Sequence, residues 1–175
     1  MKNLLVVVDM QNDFINGALG SPEAVAIVPS VREKIEAFQG CVWFTRDTHA
    51  EDYLDTQEGK HLPIRHCIKD TEGWQICDAL LPFAEHASVI DKPSFGSVEL
   101  CETLAREHQA DPIEKIVLVG LCTDICVISN AMLLKAYLPE TVIAVDAACC
   151  AGVTPESHER ALQAMASCQI VIENT

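Results

Sequence analysis

Residues 116–126, Ile-Val-Leu-Val-Gly-Leu-Cys-Thr-Asp-Ile-Cys, carry the pattern that decides the fold. The run Ile116–Val119 is apolar and mostly β-branched, which is typical of a strand buried on both faces of a parallel sheet. Gly120 then marks a turn, and a helical pattern begins near Asp124. A buried strand that passes through a glycine-bearing turn into a helix is the repeating unit of α/β folds.

The same kind of apolar run recurs along the rest of the chain, at Leu4–Val8, Cys41–Thr45, Ser88–Ile90, Thr141–Val145 and Gln169–Ile172. Most of these runs are separated by helical spacing, in segments near Pro29–Phe38, Glu99–Glu107, Asp124–Lys135 and Thr154–Ser167. This alternation predicts an α/β fold, a parallel sheet of about six strands with helices on both faces. A length of 175 residues favours one domain, over residues 1–175.

Composition excludes several classes of function. The chain has 26 acidic and 12 basic residues, a formal charge of −14, so its surface repels nucleic acid and anionic lipid. We find no apolar run near the ~20 residues that span a bilayer, and the N-terminal run is too short for a signal peptide. We therefore expect a cytoplasmic protein whose nine cysteines are mostly reduced, buried thiols.

Polar residues follow most of the predicted strands directly. In open α/β sheets the ligand site lies beyond the carboxyl ends of the strands, so these residues are the first candidates for a site. In chain order they are Asp9, then Asp47 and His49, then Asp91 and Lys92, then the segment 120–126, then Asp146. We expect them to meet at one edge of the sheet.

Cys126 is the candidate nucleophile, because it lies in the first turn of a predicted helix. Free backbone N–H groups at such a position lower a thiol pKa and can bind an oxyanion. Lys92, if buried beside it, would stabilise anionic forms, and Asp9 could carry a proton. The alternative hypothesis is that Cys126 is an inert core cysteine and that both charged residues are solvated.

The segment 47–74 fits neither a helix nor a strand period and is too long for a simple connection. Its Asp47-x-His49 pattern, followed by His61 and His66, contains the residue types that bind zinc. Glu58 on the same segment could be a further ligand. The alternative hypothesis is a solvated polar loop without metal.

Five motifs, in order along nearly the whole chain, resemble the isochorismatase-like cysteine hydrolase family, and within it the nicotinamidases. They are Asp9-Met10-Gln11-Asn12-Asp13-Phe14, Arg46-Asp47-Thr48-His49, His66-Cys67 with Thr71 and Gly73, Asp91-Lys92 with Phe95-Gly96-Ser97, and Gly120 to Val127.

This resemblance implies a catalytic triad of Asp9, Lys92 and Cys126. It also implies an oxyanion hole from the backbone N–H groups of Cys122 and Cys126, with a cis peptide bond between Leu121 and Cys122. The implied metal ligands are a separate set, with zinc as the expected divalent ion. They are Asp47, His49 and His66, with Glu58 as a fourth in some nicotinamidases.

One segment departs from the pattern of many nicotinamidases. Leu62 stands where an aromatic residue often stacks on the pyridine ring, and one extra residue precedes His66. We expect Phe14 and Leu121 to contact the substrate, and we keep His61 and Glu58 as alternatives to His66 for the third metal ligand.

The implied function is hydrolysis of nicotinamide to nicotinate and ammonia through a cysteine thioester. One alternative is hydrolysis of another small amide or ureide by the same triad. An alternative from a different class is a metal-binding domain without catalysis. Isochorismatase activity fits less well, because it needs no thiol nucleophile. For partners we expect a small-molecule amide, neither nucleic acid nor membrane, and assembly into a homo-oligomer.

Overall fold

The computed structural model describes residues 2–175, and these form one six-stranded parallel sheet. The strands are β1 (Lys2–Val8), β2 (Cys41–Asp47), β3 (Ser88–Lys92), β4 (Ile113–Leu121), β5 (Val142–Ala151) and β6 (Val171–Glu173). Their spatial order is β3-β2-β1-β4-β5-β6, and each neighbouring pair is parallel. The predicted α/β fold is confirmed.

Helices cover both faces of the sheet. They are α1 (Asn12–Ile15), α2 (Pro22–Ala37), α3 (Gln57–His61), α4 (Leu81–Ala84), α5 (Val98–Ala110), α6 (Ile128–Tyr137) and α7 (Pro155–Ser167). The core between the sheet and α1, α2 and α4 is one cluster, and the core beneath α5, α6 and α7 is another. In the part of the chain from residue 2 onward, no helix combines the length and apolarity that crossing a membrane requires.

Strand β1 lies at the centre of both cores. Every residue from Leu4 to Val8 is fully buried. Leu4, Val6 and Val8 belong to the cluster beneath α5, α6 and α7, whereas Leu5 and Val7 belong to the other cluster. Each such side chain contributes about 1.5–3 kcal/mol by burial, so the unbroken apolar run is what a strand covered on both faces requires.

The order of the strands reverses between β1 and β4, which are hydrogen-bonded neighbours. The chain leaves β1 toward one side of the sheet and β4 toward the other, and this opens a crevice at their carboxyl ends. Only glycine fits at position 120, near the end of β4. Its φ is +114°, and a Cβ there would lie 2.2 Å from the carbonyl oxygen of Val8 on β1. The turn over residues 120–127, which carries Cys126, therefore begins where the two strands leave no room for a side chain.

Two elements differ from the sequence expectation. Helix α2 begins at Pro22 rather than near Pro29, because Ser21 caps it by accepting a hydrogen bond from the N–H of Ala24 at 3.0 Å. Pro29 lies inside this helix.

Strand β5 runs on to Ala151, so Asp146 lies within the strand and not at its end. Asp146 is buried and accepts a hydrogen bond from Lys34 of α2 at 2.6 Å. The expectation that Asp146 belongs to the site edge is wrong, because β5 continues past Asp146 and its carboxylate pairs with Lys34 beneath α2.

Candidate active site and metal centre

A cavity of about 1,120 Å³ opens at the crevice between β1 and β4. Its walls come from separate parts of the chain, and they include Phe14 after β1, Asp47 and Glu58, Phe95 after β3, and Cys126 after β4. The segments that follow four of the strands, β1 to β4, therefore meet in one cavity. This is the edge at which the sequence placed the site.

Lys92 lies at the centre of the polar residues in this cavity. Its Nζ is 2.6 Å from Asp9 Oδ2, 3.4 Å from Cys126 Sγ and 3.3 Å from Asp47 Oδ1. Asp9 and Lys92 are fully buried, and Cys126 is 4% exposed. A buried ammonium is costly unless paired, so two carboxylates and the thiol fix Lys92 in this position.

The charges of this cluster follow from its burial. Burial raises the pKa of Asp9, although the neighbouring Lys92 acts against the increase. Burial disfavours the Lys92 ammonium, but Asp9, Cys126 and Asp47 together outweigh this effect and keep the pKa of Lys92 above its ordinary value. These pKa directions favour a charged Lys92 and give Asp9 an enhanced affinity for a proton.

Cys126 differs from the sequence expectation in its protonation. Burial raises the pKa of the Cys126 thiol well above its ordinary value, and the adjacent Asp9 raises it further. The expectation that the helix start lowers this pKa is wrong, because burial and a nearby carboxylate outweigh the backbone N–H groups and Lys92. If Cys126 acts as a nucleophile, it therefore needs a base to take the thiol proton.

Asp9 is held in an unusual backbone conformation. Its φ is +48°, in the left-handed region that non-glycine residues seldom occupy. Its N–H donates to the carbonyl of Thr45 at 3.2 Å, and the Thr45 hydroxyl donates to Asp9 Oδ1 at 2.6 Å. Thr45 of β2 thus aims the carboxylate while leaving its other oxygen to Lys92. Such outliers are retained where the surrounding structure enforces them.

The turn that carries Cys126 links β4 to α6. The Leu121–Cys122 peptide bond is cis, as the resemblance implies, and a π-helical turn over Thr123–Val127 leads into α6. Both Cys122 and Cys126 line the cavity. Backbone N–H groups at the start of a helix lack intrahelical acceptors, so this turn can offer donors to an oxyanion.

Four potential metal ligands form a second cluster beside Lys92, namely Asp47, His49, Glu58 and His66. One ligand atom from each lies within 4.8 Å of the others. Asp47 Oδ2 is 2.9 Å from His49 Nε2 and 3.6 Å from His66 Nε2, and Glu58 Oε1 is 3.5 Å from His49 Nε2. Two imidazole nitrogens and two carboxylate oxygens at these separations match the donor set of zinc.

Further contacts support a cation at this cluster. His66 Nδ1 lies 2.8 Å from the carbonyl oxygen of Ile64, which fits an Nδ1–H donor and leaves Nε2 free as a ligand. Although burial opposes it, hydrogen bonds with His49 and His66 lower the pKa of Asp47, so this carboxylate is ionised. His61 is exposed and bonds to the Gln57 carbonyl, outside the cluster.

Gln11 is a site residue for which the sequence analysis predicts no role. Its Nε2 donates to the carbonyls of Asp47 at 2.8 Å and Trp74 at 2.9 Å, and its Oε1 accepts from the Asp47 N–H at 2.7 Å. Gln11 thereby ties the turn after β1 to the metal cluster. The only sequence signal for this role was the position of Gln11 in the motif that begins with Asp9. Its hydrogen-bond partners Asp47 and Trp74 lie too far along the chain to be identified from residue spacing.

The structure separates the two expected substrate contacts. Phe14 lines the cavity, with its ring centroid 5.6 Å from that of His66. The Leu121 side chain is 1% exposed and packs in the core cluster that contains β1 and α2. Leu121 is therefore not brought to the cavity wall with the other candidates, whereas Leu62 does line the cavity.

Comparison of the sequence with known proteins identifies the family of this chain. The isochorismatase domain model matches residues 3–175. An isochorismatase family protein of Bacillus subtilis, PncA, which is described as uncharacterized, is 32% identical over 95% of this chain and 96% of its own.

Two solved structures also resemble the chain closely. A zinc complex of the pyrazinamidase of Pyrococcus horikoshii superposes with a TM-score of 0.81 at 28% identity, with 100% of both chains covered. A nicotinamidase/pyrazinamidase PncA from B. subtilis gives a TM-score of 0.82 at 30% identity, covering 99% of this chain and 100% of its own. The chain belongs to the isochorismatase family.

Proposed function

We propose that the protein is a cysteine-dependent amidohydrolase that converts nicotinamide and water to nicotinate and ammonia. The observation that carries this proposal is the buried contact of Lys92 with both Asp9 and Cys126, at 2.6 and 3.4 Å. The solved relatives named as nicotinamidase and pyrazinamidase support an aromatic amide as substrate. The family match and the fold also support residues 1–175 acting as one domain.

In the proposed reaction, the Cys126 sulfur attacks the amide carbonyl carbon while Asp9 takes the thiol proton. Asp9 suits this step because burial raises its pKa and so its affinity for a proton. Lys92 stays charged and stabilises the sulfur and the carboxylate in turn. Backbone N–H groups of Cys122 and Cys126 would stabilise the tetrahedral oxyanion.

Collapse of the tetrahedral intermediate breaks the carbon–nitrogen bond, and Asp9 returns its proton to the leaving ammonia. A water molecule, deprotonated by Asp9, then cleaves the thioester to give nicotinate and the free thiol. The metal ligands would be Asp47, His49 and His66 with Glu58, and a divalent cation there would supply a Lewis-acid contact for a ring nitrogen or an ordered water. Phe14 would contact the pyridine ring.

The test is release of ammonia from nicotinamide, compared with pyrazinamide, aliphatic amides and ureides at equal concentration. We expect nicotinamide or pyrazinamide to be hydrolysed fastest. A preference for an aliphatic amide or a ureide would replace the substrate while leaving the triad in place. Absence of hydrolysis across the set, with metal bound and Cys126 unreactive, would favour a metal-binding domain. Assembly into a homo-oligomer and a cytoplasmic location remain predictions.

A further inference from the structure

Asn130 is a buried polar residue that the proposed chemistry does not use. It lies in α6, one helical turn after Cys126, and is 0% exposed. A side-chain amide buried without partners destabilises the folded state, so the position of Asn130 depends on the hydrogen bonds it makes. Those hydrogen bonds connect two segments of the active site.

The amide of Asn130 contacts both segments at once. Nδ2 donates to the carbonyl of Cys126 at 2.8 Å and to the carbonyl of Phe95 at 3.1 Å. Oδ1 accepts from the N–H of Ser97 at 2.9 Å. Both N–H groups and the carbonyl oxygen are therefore used, in one bond to the turn that carries Cys126 and two bonds to the loop after β3.

That loop, residues 93–97, also holds the catalytic lysine. Lys92 Nζ donates to the carbonyl of Ser94 at 3.1 Å, and Phe95 lines the cavity. The loop lies tightly against α6, because a Cβ on Gly96 would come within 2.5 Å of Leu133 Cδ1. The lysine and the nucleophile are thus on different segments, and Asn130 is hydrogen-bonded to both.

We propose that Asn130 is a positioning residue that keeps Lys92 in contact with the Cys126 sulfur by tying the loop 93–97 to α6. This inference rests on the proposed function, in which the 3.4 Å contact between Lys92 and Cys126 stabilises the thiolate. A buried amide that only satisfies its own hydrogen bonds would stabilise the fold without affecting the thiol. The two roles predict different behaviour of Cys126.

Two variants and one control separate these roles. Asn130→Ser keeps a hydroxyl that can donate to the Cys126 carbonyl four residues earlier, but it removes the contacts with the loop. Asn130→Asp keeps the size and the acceptor for Ser97, but it loses both donors. Leu134→Ala is the control, because Leu134 is a fully buried core residue of the same helix and lies outside the cavity wall.

The measurements are kcat and KM for nicotinamide, the melting temperature, and the rate at which iodoacetamide alkylates Cys126, mapped by mass spectrometry. We expect both Asn130 variants to lower kcat by up to about 100-fold, the loss that a displacement near 1 Å can cause, with KM changed much less. Alkylation of Cys126 should slow in both, because the thiolate loses Lys92. Leu134→Ala should lower the melting temperature and change neither rate.

The proposal is overturned if the folded Asn130→Ser variant keeps both the kcat and the alkylation rate of the wild type. It is equally overturned if Leu134→Ala, at a similar loss of melting temperature, slows both reactions as much. Failure of the wild-type protein to hydrolyse nicotinamide would count against the proposed function alone. The alkylation rates would then still decide the role of Asn130, since they need no substrate.

Discussion

Replacing Asp9 by asparagine should remove the proton carrier while leaving the nucleophile in place. The amide is the same size as the carboxylate, and its oxygen can still accept the hydrogen bond that Thr45 donates at 2.6 Å. The Cys126 thiol, whose pKa burial raises, then has no base beside it. General acid–base catalysis contributes roughly 10²- to 10⁴-fold, so the barrier should rise by about 2.7–5.4 kcal/mol.

The loss should appear in kcat for nicotinamide, measured by ammonia release, with KM nearly unchanged. Phe14 and the metal ligands line the cavity and Asp9 does not, so we expect substrate binding to depend little on the charge of Asp9. Lys92→Ala should also lower kcat. The double variant should be about as slow as the slower single variant, because the residues act as one unit.

Asp146→Asn is a matched control for this experiment. Asp146 is also a buried carboxylate and lies on strand β5 of the same sheet. It pairs with Lys34 of α2 at 2.6 Å, and it lies outside the cavity. Its replacement should lower stability and leave kcat unchanged. Near-normal turnover in Asp9→Asn, or losses in Asp9→Asn and Lys92→Ala that multiply independently, would refute the coupled triad.

Three further predictions test the metal, the thiols and the fold. His66→Ala should lower the zinc content measured by elemental analysis, whereas His61→Ala should retain about one ion per chain, the stoichiometry of a single site; equal zinc in both variants would contradict the cluster. The Cys41→Ser/Cys168→Ser double variant lacks the two exposed thiols. In this variant limiting iodoacetamide should label a cavity-lining cysteine first, and Cys126 ahead of Cys122. First labelling of Cys67, Cys77 or Cys150 would contradict the assignment of the site. Thr154→Ala should remove the side-chain cap of α7 and cost about 1 kcal/mol in urea unfolding with unchanged kcat; a change in kcat would mean that α7 affects the site.

The fold could be predicted from sequence because its determinants are local. The run Leu4–Val8 identifies a strand covered on both faces, and Thr154-Pro155 marks the start of α7 where the structure has it. The predicted start of α2 near Pro29 is wrong. Proline is typical of the first turn of a helix, but Pro29 lies inside α2, which begins at Pro22. The cap at Ser21 was the stronger signal.

The part of the site that could be predicted from sequence is the set of polar residues at strand ends. Asp9, Asp47 and Lys92 follow or end strands, and parallel strands bring such residues together. Asp146 failed the same rule because β5 continues past it. The role of Asn130 was not predictable, since its partner Phe95 lies 35 residues away and no spacing connects them.

The protonation of Cys126 could not be deduced from sequence either. A helix start lowers a thiol pKa only if burial and nearby anions do not outweigh it, and both depend on the assembled fold. In this protein burial and Asp9 raise the pKa of the Cys126 thiol, so in the proposed mechanism the thiol reacts only as Asp9 accepts its proton.

The central claim is that the Cys126 sulfur, and not a metal-bound hydroxide, attacks the amide. The most direct test is nicotinamide hydrolysis by the Cys126→Ala variant, with its metal content shown equal to that of the wild type. We predict a loss of at least about 10³-fold in kcat, because the nucleophile is gone while Asp9, Lys92 and the metal ligands remain. Turnover within a few-fold of the wild type would contradict the account and would move the nucleophile to the metal centre.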